Sequence, residues 1–285
     1  MYSFSKSVAL MGVILGVASG CTTAATLDPT PSAVAVLPLN SEKYASVVVD
    51  GSTGVVLYSA NADLPRIPAS LTKMMTLYLT FEALQSGRIT KSTLIPMSAH
   101  AASQAPSKLG VRPGQAIDVD TAIKAIVVKS ANDVAVALAE YLGGSEEQFA
   151  ALMTEKARRL GMKGTNFHNA SGLPDPQQIT TARDMALLGL ALRRHYPGQY
   201  YYFAVHEFAF NGKLIRGHNR VLDQVNGADG IKTGYVRASG FNIVTSVSDN
   251  GRQLVAVVMG GDTARSRDAQ VVNLVNQYLP QVASR

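Results

Sequence analysis

Tryptophan is absent from these 285 residues and cysteine occurs once. A lone thiol cannot close an intramolecular disulfide, so packing alone must hold the fold, even in an oxidising compartment. Charge is scarce as well, at 16% of residues, and no run of Lys or Arg forms a stripe with interleaved aromatics. The formal net charge of +6 therefore gives mild attraction to anionic surfaces and argues against nucleic-acid recognition. What remains is 47% hydrophobic with a mean hydropathy of +0.10, the composition of a globular protein. The length suits one large domain, or one domain with a small satellite.

Lys6 is the only charge before Asp28, Val8 to Ala18 form an eleven-residue apolar run, and small residues follow from Ser19 to Ala25. Too short for a stable span, residues 1–25 read as an export signal, which places the mature protein in the periplasm or elsewhere in the cell envelope. Two processing routes stay open. Cys21 follows Ala18-Ser19-Gly20 much as a bacterial lipoprotein cysteine would, although Ala18 stands where Leu is usual; cleavage after Ala25 would instead discard the thiol. Membrane attachment is expected only through Cys21, because the final helix lacks Trp and carries few cations on its polar face. Residues 26–43, rich in Pro, Ala, Thr and Ser, read as a linker, and the folded domain is expected over residues 44–285.

Ala45 to Asp50 and Val55 to Ser59 flank Gly51-Ser52-Thr53-Gly54 as a hairpin. Pro68 opens a helix through about Leu84 that is apolar nearly all round, hence buried. Helical spacing recurs at Ala131 to Tyr141, Phe149 to Leu160 and Ala182 to Arg194, with a loop at Gly172 to Pro176. Strands are predicted at Tyr201 to Phe210, Ile231 to Gly234, Phe241 to Ser248 and Gln253 to Met259, before a final helix from Ala264 to Leu279. Gly143-Gly144 and Gly260-Gly261 read as turns. The order implies an α+β fold: one antiparallel sheet whose first strands pair with its last, flanked by helices, with a helical lobe inserted between them.

Chemistry enters through an ordered trio, Ser70-Leu71-Thr72-Lys73, Ser130-Ala131-Asn132 and Lys232-Thr233-Gly234. Each piece alone is weak, since Ser-x-x-Lys also occurs at Ser3 and Ser-x-Asn at Ser59 and Ser248. Ser70 and Lys73 lie one helical turn apart on one face, so hydroxyl and amine can meet. A serine needs a base to become a nucleophile, and an ordinary lysine is protonated at neutral pH. Lowering its pKa by about three units takes about 4 kcal/mol, which burial and a second cation, naturally Lys232, could supply. Lys232-Thr233-Gly234 reads as an edge strand beside a cleft, with a cation and a hydroxyl gripping a carboxylate and a glycine admitting a substrate backbone. Ser130 and Asn132 would form the opposite wall, though both also read as helix caps.

The longer strings Ile67 to Thr76, Gly110 to Gln115, Thr180 to Ala186 and Gly230 to Tyr235 resemble the serine D-alanyl-D-alanine carboxypeptidases, the low-molecular-mass branch of the penicillin-binding proteins. The resemblance runs from about Tyr44 to Leu279. It implies a β-lactamase/transpeptidase-like fold and removal of the terminal D-alanine from peptidoglycan stem peptides, with no cofactor or metal and with β-lactam antibiotics as covalent inhibitors. In that scheme Ser70 attacks, Lys73 takes its proton and Ser130 relays a proton to the departing D-alanine. Asn132 orients the substrate amide, Lys232 with Thr233 binds the terminal carboxylate, and Gly234 admits the substrate backbone. The backbone N–H groups of Ser70 and Tyr235 form the oxyanion hole, and Arg267 stands on the carboxylate side. Many relatives continue into a β-rich domain and an amphipathic tail, so anchoring by that route is not expected here. Ser171 stands where some relatives carry His.

Four other readings compete. A related β-lactamase would use a Glu-x-x-Leu-Asn loop, which the chain lacks. A D,D-endopeptidase acting on cross-links would share every motif, and a cell-wall-binding protein with a dead site would not keep them all. His168 to Asp175 has a spacing used by some zinc peptidases, but no histidine follows an acid by three residues.

Overall fold

Consecutive apolar residues at Val47 to Val49 and Leu254 to Met259 cannot all face one side of a pleated strand, so any sheet they join must be covered on both faces. In the computed structural model, which describes residues 42–284 together with Met1, it is. The export signal, Cys21 and the linker up to residue 41 lie outside the described residues.

The chain forms a hairpin of β1 (Ala45–Asp50) and β2 (Val56–Ala60), then a 3₁₀ turn, Ala69–Thr72, that leads into α1 (Lys73–Gln85). The helical lobe follows as β3 (Leu94–Pro96), α2 (Ala99–Ser103), β4 (Ala116–Asp118), α3 (Val119–Lys124), a π-helical turn at Ala125–Lys129, α4 (Asn132–Gly143), α5 (Glu146–Arg159) and α6 (Ala182–His195). A ribbon of β5 (Glu207–Phe210) and β6 (Lys213–Arg216) and the short α7 (Val221–Gln224) precede β7 (Ala228–Val236), β8 (Gly240–Asp249), β9 (Arg252–Gly261) and α8 (Ala264–Tyr278). The main sheet runs β2-β1-β9-β8-β7, every pair antiparallel. Its first strands thus pair with its last, and β7 is an edge.

The two faces separate by alternation. Val47 and Val49 of β1 and Val255, Val257 and Met259 of β9 join the core that holds α1, α4 and α6. Val48, Leu254, Ala256 and Val258 meet Val271, Leu274 and Val275 of α8 on the other side. The final helix therefore packs on the sheet. This is the α+β arrangement that the order of elements predicts, an antiparallel sheet flanked by helices with a helical lobe inserted after its second strand.

Several local expectations need correction. Residues 200–204 are a 3₁₀ turn and not a strand. Tyr200, Tyr202 and Phe203 are buried while Tyr201 is exposed, which is not strand alternation, and Tyr202 and Phe203 both pack on Phe81. Pro68 caps the 3₁₀ turn instead of beginning α1. Gly143 and Gly144 close α4, whereas Gly260 and Gly261 finish β9. A Cβ on Gly260 would lie 2.2 Å from the Lys43 carbonyl oxygen, so close chain approach, not a turn, explains that pair.

Asn242, fully buried on β8, ties the sheet to the segment that opens α1. Its Nδ2 donates to the carbonyls of Ile67 and Pro68, at 3.0 and 3.2 Å, and its Oδ1 accepts from Gly260 N at 3.0 Å. Asn242→Ala would strand these buried groups at about 1–3 kcal/mol for each one that finds no water. We predict a loss of about 3 kcal/mol and a melting temperature lower by about 10 °C. Thermal unfolding of the variant beside the parent checks this; a change below 2 °C would contradict the role.

Candidate active site

A serine at the mouth of a buried helix can serve chemistry only if the chain presents it to a cleft. The turn before α1 does this under strain. Ala69 has φ +49°, a left-handed value that a side chain with a Cβ disfavours. Two glycines lie close against the turn. A Cβ on Gly172 would fall 1.9 Å from the Ala69 carbonyl oxygen, and one on Gly234 would fall 3.0 Å from Ser70 N. The sequence suggested that Gly234 admits a substrate backbone; the structure shows that it first admits the nucleophile's own turn.

Ser70, Ser130, Asn132, Thr233, Gly234, Tyr235 and Arg267 all line one cleft of about 730 Å³. Lys73 stands behind Ser70, fully buried, with Nζ 3.2 Å from Ser70 Oγ. It donates to Asn132 Oδ1 at 2.6 Å and to the Ser171 carbonyl at 2.5 Å. Asn132 Nδ2 donates to the Ala105 carbonyl at 2.8 Å, which fixes the amide so that its oxygen faces Lys73. Burial first, and the charge of Lys232 second, hold the Lys73 amine well below the ordinary lysine range, against the pull of the Asp133 carboxylate.

Ser130 does not cap α4 with its side chain. It ends the π-helical turn at φ +58°, and its hydroxyl is buried with no hydrogen-bond partner among the described residues. Buried polar groups left so are uncommon, and a place in a catalytic cleft is one explanation for them. Asn132 is the first residue of α4, and its N–H donates to the Ser107 carbonyl at 2.7 Å.

Lys232 is buried on β7 and does not line the cleft itself. It opens on an adjoining hollow of about 240 Å³ that shares Gly217, His218, Arg220 and Thr233 with the cleft. Its Nζ donates to the Thr233 carbonyl at 2.8 Å. Burial, then Arg267, lower its pKa to about 7. Arg267 reaches the cleft wall but is already engaged, donating from Nη1 to the Asn242 carbonyl at 2.6 Å and pairing with Asp268 at 2.7 Å. The start of β7 is anchored by Asp229, which accepts from Arg193 and from Ser246 Oγ. Tyr235 is about half exposed and stacks on Phe241 with centroids 4.2 Å apart.

Sequence reasoning missed several residues at this site. Asp133 accepts from the N–H groups of Leu109 and Gly110 at 2.9 and 2.8 Å, pinning the loop that brings Pro106 and Ser107 to the cleft. An acid inside the apolar run from Ala131 to Tyr141 was the available signal. Arg220 and His218 line the cleft from the segment after β6, and nothing in their local spacing marks them. Burial, then Lys232 and Lys129, lower the His218 pKa. His168 Nδ1 lies 2.9 Å from an Asp175 carboxylate oxygen within their loop. Cys21 lies outside the described residues.

Comparison with known proteins now bears on this geometry. A family model for D-alanyl-D-alanine carboxypeptidases matches residues 32–263. The chain is 36% identical over 244 residues to the D-alanyl-D-alanine carboxypeptidase DacA of Escherichia coli (strain K12), covering 83% of this chain and 60% of that relative. Among solved structures, the carboxypeptidase DacD from Francisella tularensis superposes with a TM-score of 0.83 at 30% identity, covering 86% of this chain and 71% of that one. Penicillin binding protein 5 from Haemophilus influenzae gives 0.80 at 32%, covering 84% and 71%. The chain thus spans about 60% of the length of the curated relatives it matches first. With the three motifs converging on one cleft and a family model spanning most of its length, this chain belongs to the D-alanyl-D-alanine carboxypeptidase family.

Proposed function

We propose that the chain is a serine D-alanyl-D-alanine carboxypeptidase acting on peptidoglycan stem peptides, with β-lactams as covalent inhibitors. One observation carries the reading most directly: a buried lysine amine faces the serine hydroxyl while two pure acceptors take its other directions. A neutral amine has two N–H groups and one lone pair. With the N–H groups on Asn132 Oδ1 and the Ser171 carbonyl, the lone pair is left for the proton of Ser70 Oγ, 3.2 Å away.

The proposed reaction follows. Lys73 takes the Ser70 proton as Oγ attacks the carbonyl carbon between the two D-alanines. The resulting oxyanion is met by the backbone N–H groups of Ser70 and Tyr235. The carbon–nitrogen bond then breaks, and Ser130 passes a proton to the departing amine, leaving an ester on Ser70 and free D-alanine. Water attacks the ester, its proton returns through Lys73 or Ser130, and Ser70 recovers its hydroxyl. Asn132, with one N–H on Ala105, keeps another for the substrate amide. Lys232 and Thr233 bind the terminal carboxylate, and Arg267 supports them electrostatically by its proximity.

The relatives' names support this reading, since one is a D-alanyl-D-alanine carboxypeptidase and another a penicillin binding protein. We further propose an exported protein of the periplasm or cell envelope. Labelling with a fatty-acid analogue is expected to mark it and to be lost in Cys21→Ser; a product starting at Thr26 would establish ordinary signal cleavage instead.

The test of function is intact-protein mass spectrometry after exposure to a penicillin, beside D-alanine release from monomeric and cross-linked stem peptides. We expect one penicilloyl adduct, absent in Ser70→Ala, and release from the monomer. Without a dedicated carboxylate base, whose help is worth about 10²–10⁴-fold, the adduct is expected to persist for minutes. Return to the unmodified mass within seconds would favour a β-lactamase, and cleavage of the cross-linked peptide alone would favour an endopeptidase.

Lys232 yields a prediction with a defined sign. Its cation is present below about pH 7 and lost above it, so kcat/KM for carboxylate-bearing substrates is expected to fall as pH rises past about 7. kcat should hold to higher pH, because the bound carboxylate keeps Lys232 charged. The fall from 10.5 to about 7 equals about 5 kcal/mol set against the buried charge. The unfolded chain keeps that proton to about 10.5, so the stability contribution is lowest below about 7 and rises across that interval. Lys232→Met is therefore expected to melt higher than the parent at pH 6, with the gap shrinking toward pH 10. A gap independent of pH would contradict the depressed pKa.

A further inference from the structure

Both backbone groups of Ala170 are held by side chains from elsewhere in the fold. This residue lies in the irregular loop between α5 and α6, next to the carbonyl that meets Lys73. Ala170 N donates to Glu146 Oε1 at 3.0 Å, and Thr76 Oγ1 donates to the Ala170 carbonyl at 2.7 Å. Thr76 is buried on α1, three residues after Lys73, and Glu146 is the first residue of α5. The peptide groups on both sides of Ala170 are thereby fixed to two different helices. The following carbonyl, that of Ser171, then lies 2.5 Å from Lys73 Nζ.

We propose that Thr76 and Glu146 are positioning residues for acylation, holding the Ser171 carbonyl on Lys73 so that the amine's lone pair stays aimed at Ser70. The inference rests on the carboxypeptidase reading given above. Its physical content is directional. A neutral Lys73 whose second N–H loses a fixed acceptor can rotate, and its lone pair then leaves the Ser70 hydroxyl even though burial still disfavours the charged form.

The surroundings agree with a positioning role. Asn169 Oδ1 accepts from Gly172 N at 2.7 Å and from Gln178 Nε2 at 3.0 Å, so the loop is closed upon itself as well. Gly172 in turn abuts Ala69. One short loop therefore touches both the base and the strained turn of the nucleophile. The second oxygen of Glu146 faces His100 at 3.1 Å, but that imidazole is 58% exposed, so the pair adds little. The carboxylate's contribution is the Ala170 contact, which a glutamine oxygen can also make.

The experiment follows acylation by a fluorescent penicillin in stopped flow over a range of concentrations. This separates the dissociation constant of the reversible complex from the acylation rate constant, for the parent, Thr76→Val, Glu146→Ala and Glu146→Gln. A displacement of about 1 Å at a reacting group costs up to about 10²-fold. We therefore expect Thr76→Val and Glu146→Ala each to slow acylation about 10-fold with binding changed less than about 2-fold. Glu146→Gln is expected to recover the rate to within about 3-fold of the parent. Glu146 is partly solvent-facing, so its variants report even if Thr76→Val fails to fold. Unchanged acylation with a lowered melting temperature would make these contacts purely structural and overturn the proposal. So would a matched loss in Glu146→Gln and Glu146→Ala. A parent protein that penicillin does not modify would overturn the carboxypeptidase reading itself, whereas a modified parent with unaffected variants would overturn this inference alone.

Discussion

The burial of one lysine amine is the constraint on which the rest depends. Lys73 is fully buried on the first turn of α1 among Ser70 Oγ, Asn132 Oδ1 and the Ser171 carbonyl. A charged amine there would bear the cost of desolvation and of a second buried cation, Lys232, with Asp133 as partial relief. The neutral form escapes that cost and still satisfies both acceptors. An apolar helix that would otherwise be plain core thereby carries an amine that holds its proton less tightly than a lysine usually does, as the proposed acyl transfer needs.

The groups around that amine come from separate parts of the chain, and the sheet holds them in register. Asn242 on β8 ties the sheet to the carbonyls of Ile67 and Pro68, while Gly234 on the edge strand β7 admits the turn of Ser70. Gly172, from the loop after α5, lies close against it as well. Ala69 holds its left-handed conformation where Gly172 comes close to its carbonyl. The helical lobe supplies Asn132 through α4 and Ser130 through the π-helical turn, opposite the strand that carries Lys232 and Thr233. The cleft is thus the seam between sheet and inserted lobe.

Much of this was legible in the sequence because it rests on periodicity and short spacing. Val47 to Val49 and Leu254 to Met259 announce strands buried on both faces, and Ser70 with Lys73 announces one face of one turn. The meeting of Ser70, Asn132 and Lys232 was readable only as an ordered set, since the chain separates them widely. What local pattern cannot carry was missed or misread. Tyr201 to Phe210 has strand-like composition, yet Tyr202 and Phe203 turn onto Phe81. The Ser171 carbonyl is a backbone atom and leaves no trace in residue identity. Glu146 looks like an ordinary first-turn acid, favoured there by the helix dipole alone, and Arg220 and His218 become cleft residues only once the segment after β6 folds against the cleft that Thr233 and Gly234 also line.

The central claim concerns a protonation state, and the protonation state of Lys73 can be measured. With lysines labelled by ¹³C at Cε, the resonance of Lys73, assigned by its loss in Lys73→Ala, is followed through a pH titration of the folded protein. The account predicts a shift typical of a neutral amine at pH 7, with the midpoint far below the ordinary value of about 10.4. A Lys73 resonance that stays in the ammonium range until pH 10 would contradict it.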